Sequence, residues 1–118
     1  MLVRIDHSSE RPLAAQIAAG IRGAALRGEI GPGDRLPSAR ALAESVDVNL
    51  HTVLRAYAEL RDEGLIDLRR GRGAVVRPDF DSGATALAYA AQKFIEVATT
   101  AGLTTDDMIN LIKENSTP

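Results

Sequence analysis

From Pro12 onward, PLAAQIAAGIRGAALRGEI sets Leu13, Ile17, Ile21 and Leu26 on approximately one helical face. Pro12 suits the first helical position, and Gly28 with Gly31-Pro32-Gly33 ends the pattern. Pro37 holds Leu36 extended, and Ser38 is placed to cap a short second helix with Leu42 and Val46 turned inward. The pattern breaks around Asp47 and Val48, where Asn49 can cap a third helix running to about Glu63. Plotted at 100° per residue, this helix gathers Leu50, Val53, Tyr57 and Leu60 on one side, with Leu54 at its edge. The opposite side carries His51, Thr52, Arg55, Glu59 and Asp62. Its first two turns therefore expose donors and acceptors, and its last two expose mostly acid.

Gly64 stops the third helix. Leu65 to Leu68 and Ala74 to Arg77 then read as two short strands around an Arg-Arg-Gly-Arg-Gly turn, a β-hairpin. Pro78, Asp79 and Asp81-Ser82-Gly83 make a hinge over 79–83. Beyond it, ATALAYAAQKFIEVATTA is a helix with Leu87, Ala91, Phe94, Ile95 and Ala98 on a stripe. Gly102 ends it, Thr104 and Asp107 form a capping-box pattern, and the last helix shows Met108, Ile109, Leu111 and Ile112. The expected architecture is mainly α with a small β-wing. A winged helix-turn-helix domain occupies 1–78, with recognition helix 49–63 and wing 66–77, and a two-helix C-terminal dimerisation segment occupies 84–118.

Charge sharpens this picture. The net charge is −2, yet four arginines lie between Arg69 and Arg77. Residues 1–33 carry four basic and three acidic side chains, residues 34–78 eight and seven, and residues 79–118 two and six. The acidic balance belongs to the C-terminal third, so a site for a polyanion must be local. In a winged helix, the start of the third helix can reach base edges in the major groove and the hairpin tip lies beside it. Glycines let backbone approach closely there, and arginine suits bidentate phosphate contact. Affinity depends on the phosphates contacted rather than on net charge.

Other chemistry is poorly supported. The chain has no cysteine, which excludes a disulfide framework and a thiolate metal site, and two histidines, His7 and His51, too separated to suggest a metal cluster. Asp106-Asp107 sits where a first helical turn favours acids, so it does not argue for acid/base catalysis. His7 beside Ser8 and Ser9 lacks the third member of a triad, and the glycine-rich wing lacks the Lys-Ser/Thr ending of a phosphate loop. No cofactor, metal or catalytic residue is expected. No apolar run approaches the roughly 20 residues of a membrane span, and a cytoplasmic location is the expectation.

The stretch LPSARALAESVDVNLHTVLRAYAELRDEGLIDLRRGRGAVV resembles the DNA-binding domain of the GntR family of bacterial transcription regulators. The shared pattern is Leu-Pro-Ser-x-Arg, Leu-Ala, a Thr-Val helix start, Gly-Leu-Ile and Gly-x-Gly. Asn49, Thr52-Val53 and Arg55-Ala56-Tyr57, followed by only two helices, are similar to the short YtrA-type branch. The resemblance implies DNA contact by Ser38 and Arg40 at the start of helix 2, by Asn49, His51, Thr52 and Arg55 on the recognition helix, and by Arg70 and Gly71 at the wing tip, supported by Arg72. Leu50 stands where many relatives carry arginine, which removes a common base-reading group. The resemblance also implies a repressor, commonly of a neighbouring transporter operon.

Two short helices cannot bury both of their apolar stripes alone. Leu87, Ala91, Phe94, Ile95, Ala98, Ile109 and Ile112 are therefore expected to pack in a homodimer, whose two-fold symmetry requires an inverted-repeat operator in double-stranded DNA. About 35 residues leave no room for a large ligand domain, so any effector is a small molecule at the dimer interface or between these helices and the DNA-binding domain. Two other readings stay open: a winged-helix protein-interaction module whose arginines bind an acidic partner, and a small-ligand sensor with incidental DNA affinity. Inverted-repeat selectivity separates the first from a regulator, and saturable ligand binding without DNA identifies the second.

Overall fold

The computed structural model describes all residues except Leu2, Arg72, Thr117 and Pro118. Its elements run α1 (Leu13–Leu26), α2 (Ala39–Val46), α3 (Leu50–Asp62), β1 (Ile66–Arg69), β2 (Gly73–Val76), α4 (Ser82–Thr100) and α5 (Thr105–Asn115). The chain forms two compact units, Met1–Ala86 and Leu87–Pro118.

In the first unit, α1 and α2 both pack on α3, and α3 packs on β1. Ile17 and Ile21 of α1, Val53, Ala56 and Leu60 of α3, and Ile66 and Val76 of the hairpin are fully buried. Leu42 and Ala43 close the core from α2, while Val46 and Phe80 pack at its margin. One position departs from the one-face expectation. Leu26 is exposed at the last turn of α1, and the buried face is completed by alanines 14, 18, 24 and 25 instead. Gly20 is the second device in α1: a Cβ there would lie 3.2 Å from Val3 Cγ1, so the bare backbone admits the N-terminal segment.

Buried Gln16 fixes that segment. Its amide oxygen accepts from Asp6 N at 2.8 Å, and its nitrogen donates to the carbonyls of Asp6 and Arg11. A buried amide with all these partners satisfies the requirement that interior polar groups be paired. The nearby His7 Nε2 lies 3.2 Å from the Val46 carbonyl, at the end of α2.

The hairpin is antiparallel, with Ile66 opposite Val76 and Arg69 opposite Gly73. A third segment joins it. Arg35 bridges Val75, Leu36 N donates to Ala74 O at 2.8 Å, and Val76 N donates to Asp34 O at 2.8 Å. The extended backbone expected before Pro37 is thus the outer edge of the wing sheet. Gly64 turns the chain from α3 into β1 with φ 85°; its amide donates to Arg61 O, and Leu65 N reaches back to Leu60 O.

In the second unit, Leu103 N donates to Ala98 O across the turn between α4 and α5. Thr104 Oγ1 accepts from Asp107 N, and Asp107 accepts from Thr104 N, closing the capping box read from sequence. The start of α4 lies at Ser82 rather than 84, so the expected hinge over 79–83 is partly helical. The cause is local. Asp81 Oδ1 accepts from the amides of Gly83 and Ala84, doing the work of an N-cap ahead of the apolar stripe.

Candidate nucleic-acid interface

Ser38 caps α2, its Oγ accepting from Ala41 N at 3.1 Å. Arg40 follows in the first turn and is exposed. The helix closes at Asp47, whose φ of 55° makes it the described non-glycine residue in the left-handed region. That kink turns the chain toward Asn49, whose Oδ1 accepts from His51 N at 2.7 Å and starts α3. The side-chain nitrogen of Asn49 makes no hydrogen bond among the described residues. His51 and Arg55 are exposed, and Thr52 is half-buried. Glu59 is drawn toward Arg22 rather than pairing with Arg55.

The wing arginines divide into two classes. Arg69 Nη2 donates to Asp67 at 3.3 Å, and Arg77 makes two hydrogen bonds to Asp79, at 2.9 and 3.1 Å. These bonds to Asp79, reinforced by its charge and that of Asp67, hold the Arg77 guanidinium above its ordinary pKa, and Asp79 below its own. Arg70, at the tip, is exposed with no ion pair among the described residues. Gly71 beside it has φ 80°, a backbone that a side chain would strain. Arg72 lies outside the described residues. Two of the four clustered arginines therefore secure the wing, leaving Arg70 as the uncommitted guanidinium described at its tip.

Sequence patterning did not reveal what holds α3 in place. Arg22 of α1 is 3% exposed, and its Nε donates to Glu63 Oε1 and Oε2 at 2.7 and 3.0 Å. Its Nη2 also contacts Glu63 and donates to Glu59 at 3.2 Å. Burial alone would lower the pKa of Arg22, but the bonds and charge of Glu63, then of Glu59, outweigh it and raise the value. From the middle of α3, buried Tyr57 donates its hydroxyl to Pro37 O at 2.6 Å. Desolvation pushes this phenol up to about 12. Tyr57 is a core residue, as its helical face indicates.

An exposed helix start with free donors, beside arginines not neutralised by local acids, is chemically suited to anionic, hydrogen-bond-accepting surfaces. The model for "Bacterial regulatory proteins, gntR family" matches residues 13–76, from α1 through the last strand of the wing. The chain belongs to the gntR family. It is a DNA-binding transcription regulator and not an enzyme.

Among relatives of this gntR-family chain, the transcriptional repressor YtrA of Bacillus subtilis is 41% identical over 75 residues, covering 64% of this chain and 58% of that protein. The chain thus spans less than two thirds of that relative's length. The transcriptional regulator Rv1152 of Mycobacterium tuberculosis is 34% identical over 110 residues, covering 93% and 90% of the two chains. In three dimensions, YtrA of Sulfolobus acidocaldarius, a GntR-family transcription factor, aligns with TM-score 0.62 and 34% identity over 95% of this chain and 94% of that one. The winged helix followed by two helices is accordingly the short YtrA-type form. Among the described residues, no group of three His, Asp or Glu is placed to hold a metal, and no helix is long and apolar enough to cross a membrane.

Proposed function

We propose that this chain is a homodimeric repressor that reads an inverted-repeat operator with the start of α3 and grips the adjoining backbone with its wing. The carrying observation is the selective freedom of Arg40, Arg55 and Arg70 while Arg22, Arg69 and Arg77 are engaged by carboxylates. Asn49 caps α3 and His51 and Thr52 lie in its first turn, where base edges are read, with Arg55 one turn later. Ser38, already capping, adds a hydroxyl beside Arg40 for phosphate. Arg70 and Gly71 form the tip that enters a minor groove, and Arg72 supports them.

The dimer rests on the second unit. Leu87 is 74% exposed and Ile95 51%, and Ile109 and Ile112 are exposed on α5. Ala91 is exposed beside them and Phe94 is half-buried, whereas Ala98 is already buried in its own chain. Such a surface calls for a partner, and a second copy presents two recognition helices with two-fold symmetry. In this division of labour 1–78 binds DNA, 79–83 connects, and 84–118 dimerises. Repression is supported by the name of the Bacillus relative. A transporter operon as target rests on resemblance alone.

Selection from a random duplex pool, followed by titration at two salt concentrations, tests the reading. An inverted repeat with steep salt dependence is expected, with Arg70→Ala flattening the slope by about one unit on every sequence. His51→Ala should instead alter preference at particular bases. No enrichment over bulk DNA, or the same sequence-independent loss for both variants, would overturn the proposal.

A further inference from the structure

Leu54 is an apolar side chain on the wrong side of its helix. It is 44% exposed and does not belong to the core cluster or to the hydrophobic residues packed against it. The buried residues of α3, Val53, Ala56, Tyr57 and Leu60, define an inward direction. At 100° per residue, His51 and Arg55 point nearly opposite to it, and Leu54 falls within a quarter-turn of the outward pole. Leu50, half-buried one turn earlier, continues the same strip at i, i+4. The N-terminal half of α3 thus carries two parallel rows, polar His51/Arg55 and apolar Leu50/Leu54, before the acidic residues Glu59 and Asp62.

A single exposed leucine on a protein surface is ordinary. One on the outward arc of a helix that enters a major groove is not, because that groove presents hydrogen-bonding edges and one apolar group, the C5-methyl of thymine. A leucine facing guanine, cytosine or adenine edges would desolvate donors and acceptors without replacing their hydrogen bonds. Resting on the operator-reading role of α3 proposed above, we infer that Leu54 is a specificity-determining residue, selecting a thymine in each half-site by packing on its 5-methyl group. Leu50 flanks that contact and keeps water from it. The half-site then contains a thymine whose identity is read without any hydrogen bond from the protein.

The test changes the DNA rather than the fold. In the operator enriched by the wild-type chain, each thymine is replaced in turn by deoxyuridine, which lacks only the methyl group, and affinity is measured by fluorescence anisotropy. One thymine per half-site should weaken wild-type binding about fourfold on replacement, the effect of one buried methyl. Leu54→Ala should bind thymine and deoxyuridine alike at that position, with the wild-type salt slope retained because no phosphate contact is lost. Tolerance of deoxyuridine everywhere by the wild type, or an unchanged penalty in Leu54→Ala, overturns the assignment and leaves the dimeric regulator standing. Failure of the wild type to enrich any sequence overturns both.

Discussion

Removing the acid from the Arg22–Glu63 pair should harm the protein more than removing the base. Arg22 is 3% exposed, while the side chains of Glu63 and Glu59 are 25% and 44% exposed. Glu63→Ala strands a buried guanidinium with only the 3.2 Å contact to Glu59. Its Nη1 already lacks a hydrogen-bond partner among the described residues. Breaking a buried pair in this direction costs about 3–5 kcal/mol, and the partial exposure of Glu63 favours the lower end, about 3 kcal/mol. Arg22→Met keeps most of the aliphatic stem and frees two carboxylates that can hydrate, for a loss of about 1 kcal/mol. Against a total stability of about 5–15 kcal/mol, the first change is severe and the second mild. Urea unfolding followed by far-UV circular dichroism measures both, with Tm about 10 °C lower for Glu63→Ala. The double variant should be more stable than Glu63→Ala alone, since it no longer buries an unpaired charge. If Arg22→Met costs as much as Glu63→Ala, or the two losses simply add, the network stabilises through its hydrogen bonds and not by neutralising a trapped cation.

Three further outcomes follow from local geometry. Tyr57→Phe should cost about 1 kcal/mol through the lost bond to Pro37. Because the folded phenol titrates near 12 and the unfolded one near 10, wild-type stability should fall as pH rises from 10 to 12, and the variant should lose this part of the alkaline decline. Asp47→Val should destabilise by about 1–2 kcal/mol at a φ of 55°, while Asp47→Gly should be neutral or stabilising in the same thermal melt. Thr104→Ala should cost about 1 kcal/mol of helix stability. Its partner Asp107 has a lowered pKa owing to its bonds with Thr104, so the contribution of this cap is fully present above the ordinary carboxylate range and is lost as pH falls below that range through the lowered folded value. Comparing acid-range helicity of wild type and variant by circular dichroism checks that sign.

Local features of the sequence located most of the fold. Ser38, Asn49 and Thr104 each stand where they cap a helix, and Gly64 where a left-handed turn joins α3 to β1. These signals work because caps and turns involve neighbouring residues. Contacts between distant segments left no such trace. Nothing near Arg22 announces Glu63, and nothing near Arg35 announces Val75. The N-terminal shift of α4 was legible in principle, since Asp81 followed by Ser and Gly is a cap pattern. At the candidate DNA surface, sequence located the arginine cluster but could not divide it. Only the positions of Asp67 and Asp79 distinguish the engaged Arg69 and Arg77 from Arg70. Leu54 was placed at the edge of the core because a helical projection cannot say how far the neighbouring elements wrap around α3.

The strip formed by residues 34–36 has a mechanical consequence. It makes β2 an interior strand, bonded on one side to β1 and on the other to the segment that leads through Pro37 into α2. The Tyr57 hydroxyl fastens that same segment to α3. Wing, α2 and α3 are therefore tied to one another through this single segment, in an arrangement that the chain holds by its own bonds. Such preorganisation removes an ordering cost from association, and it also limits what the arrangement can accept. On the proposed reading of an operator by α3 and the wing, the spacing between their contacts would be set by these bonds, so a mismatched groove would have to bend to fit the protein and the stiffness of the DNA itself would enter the recognition.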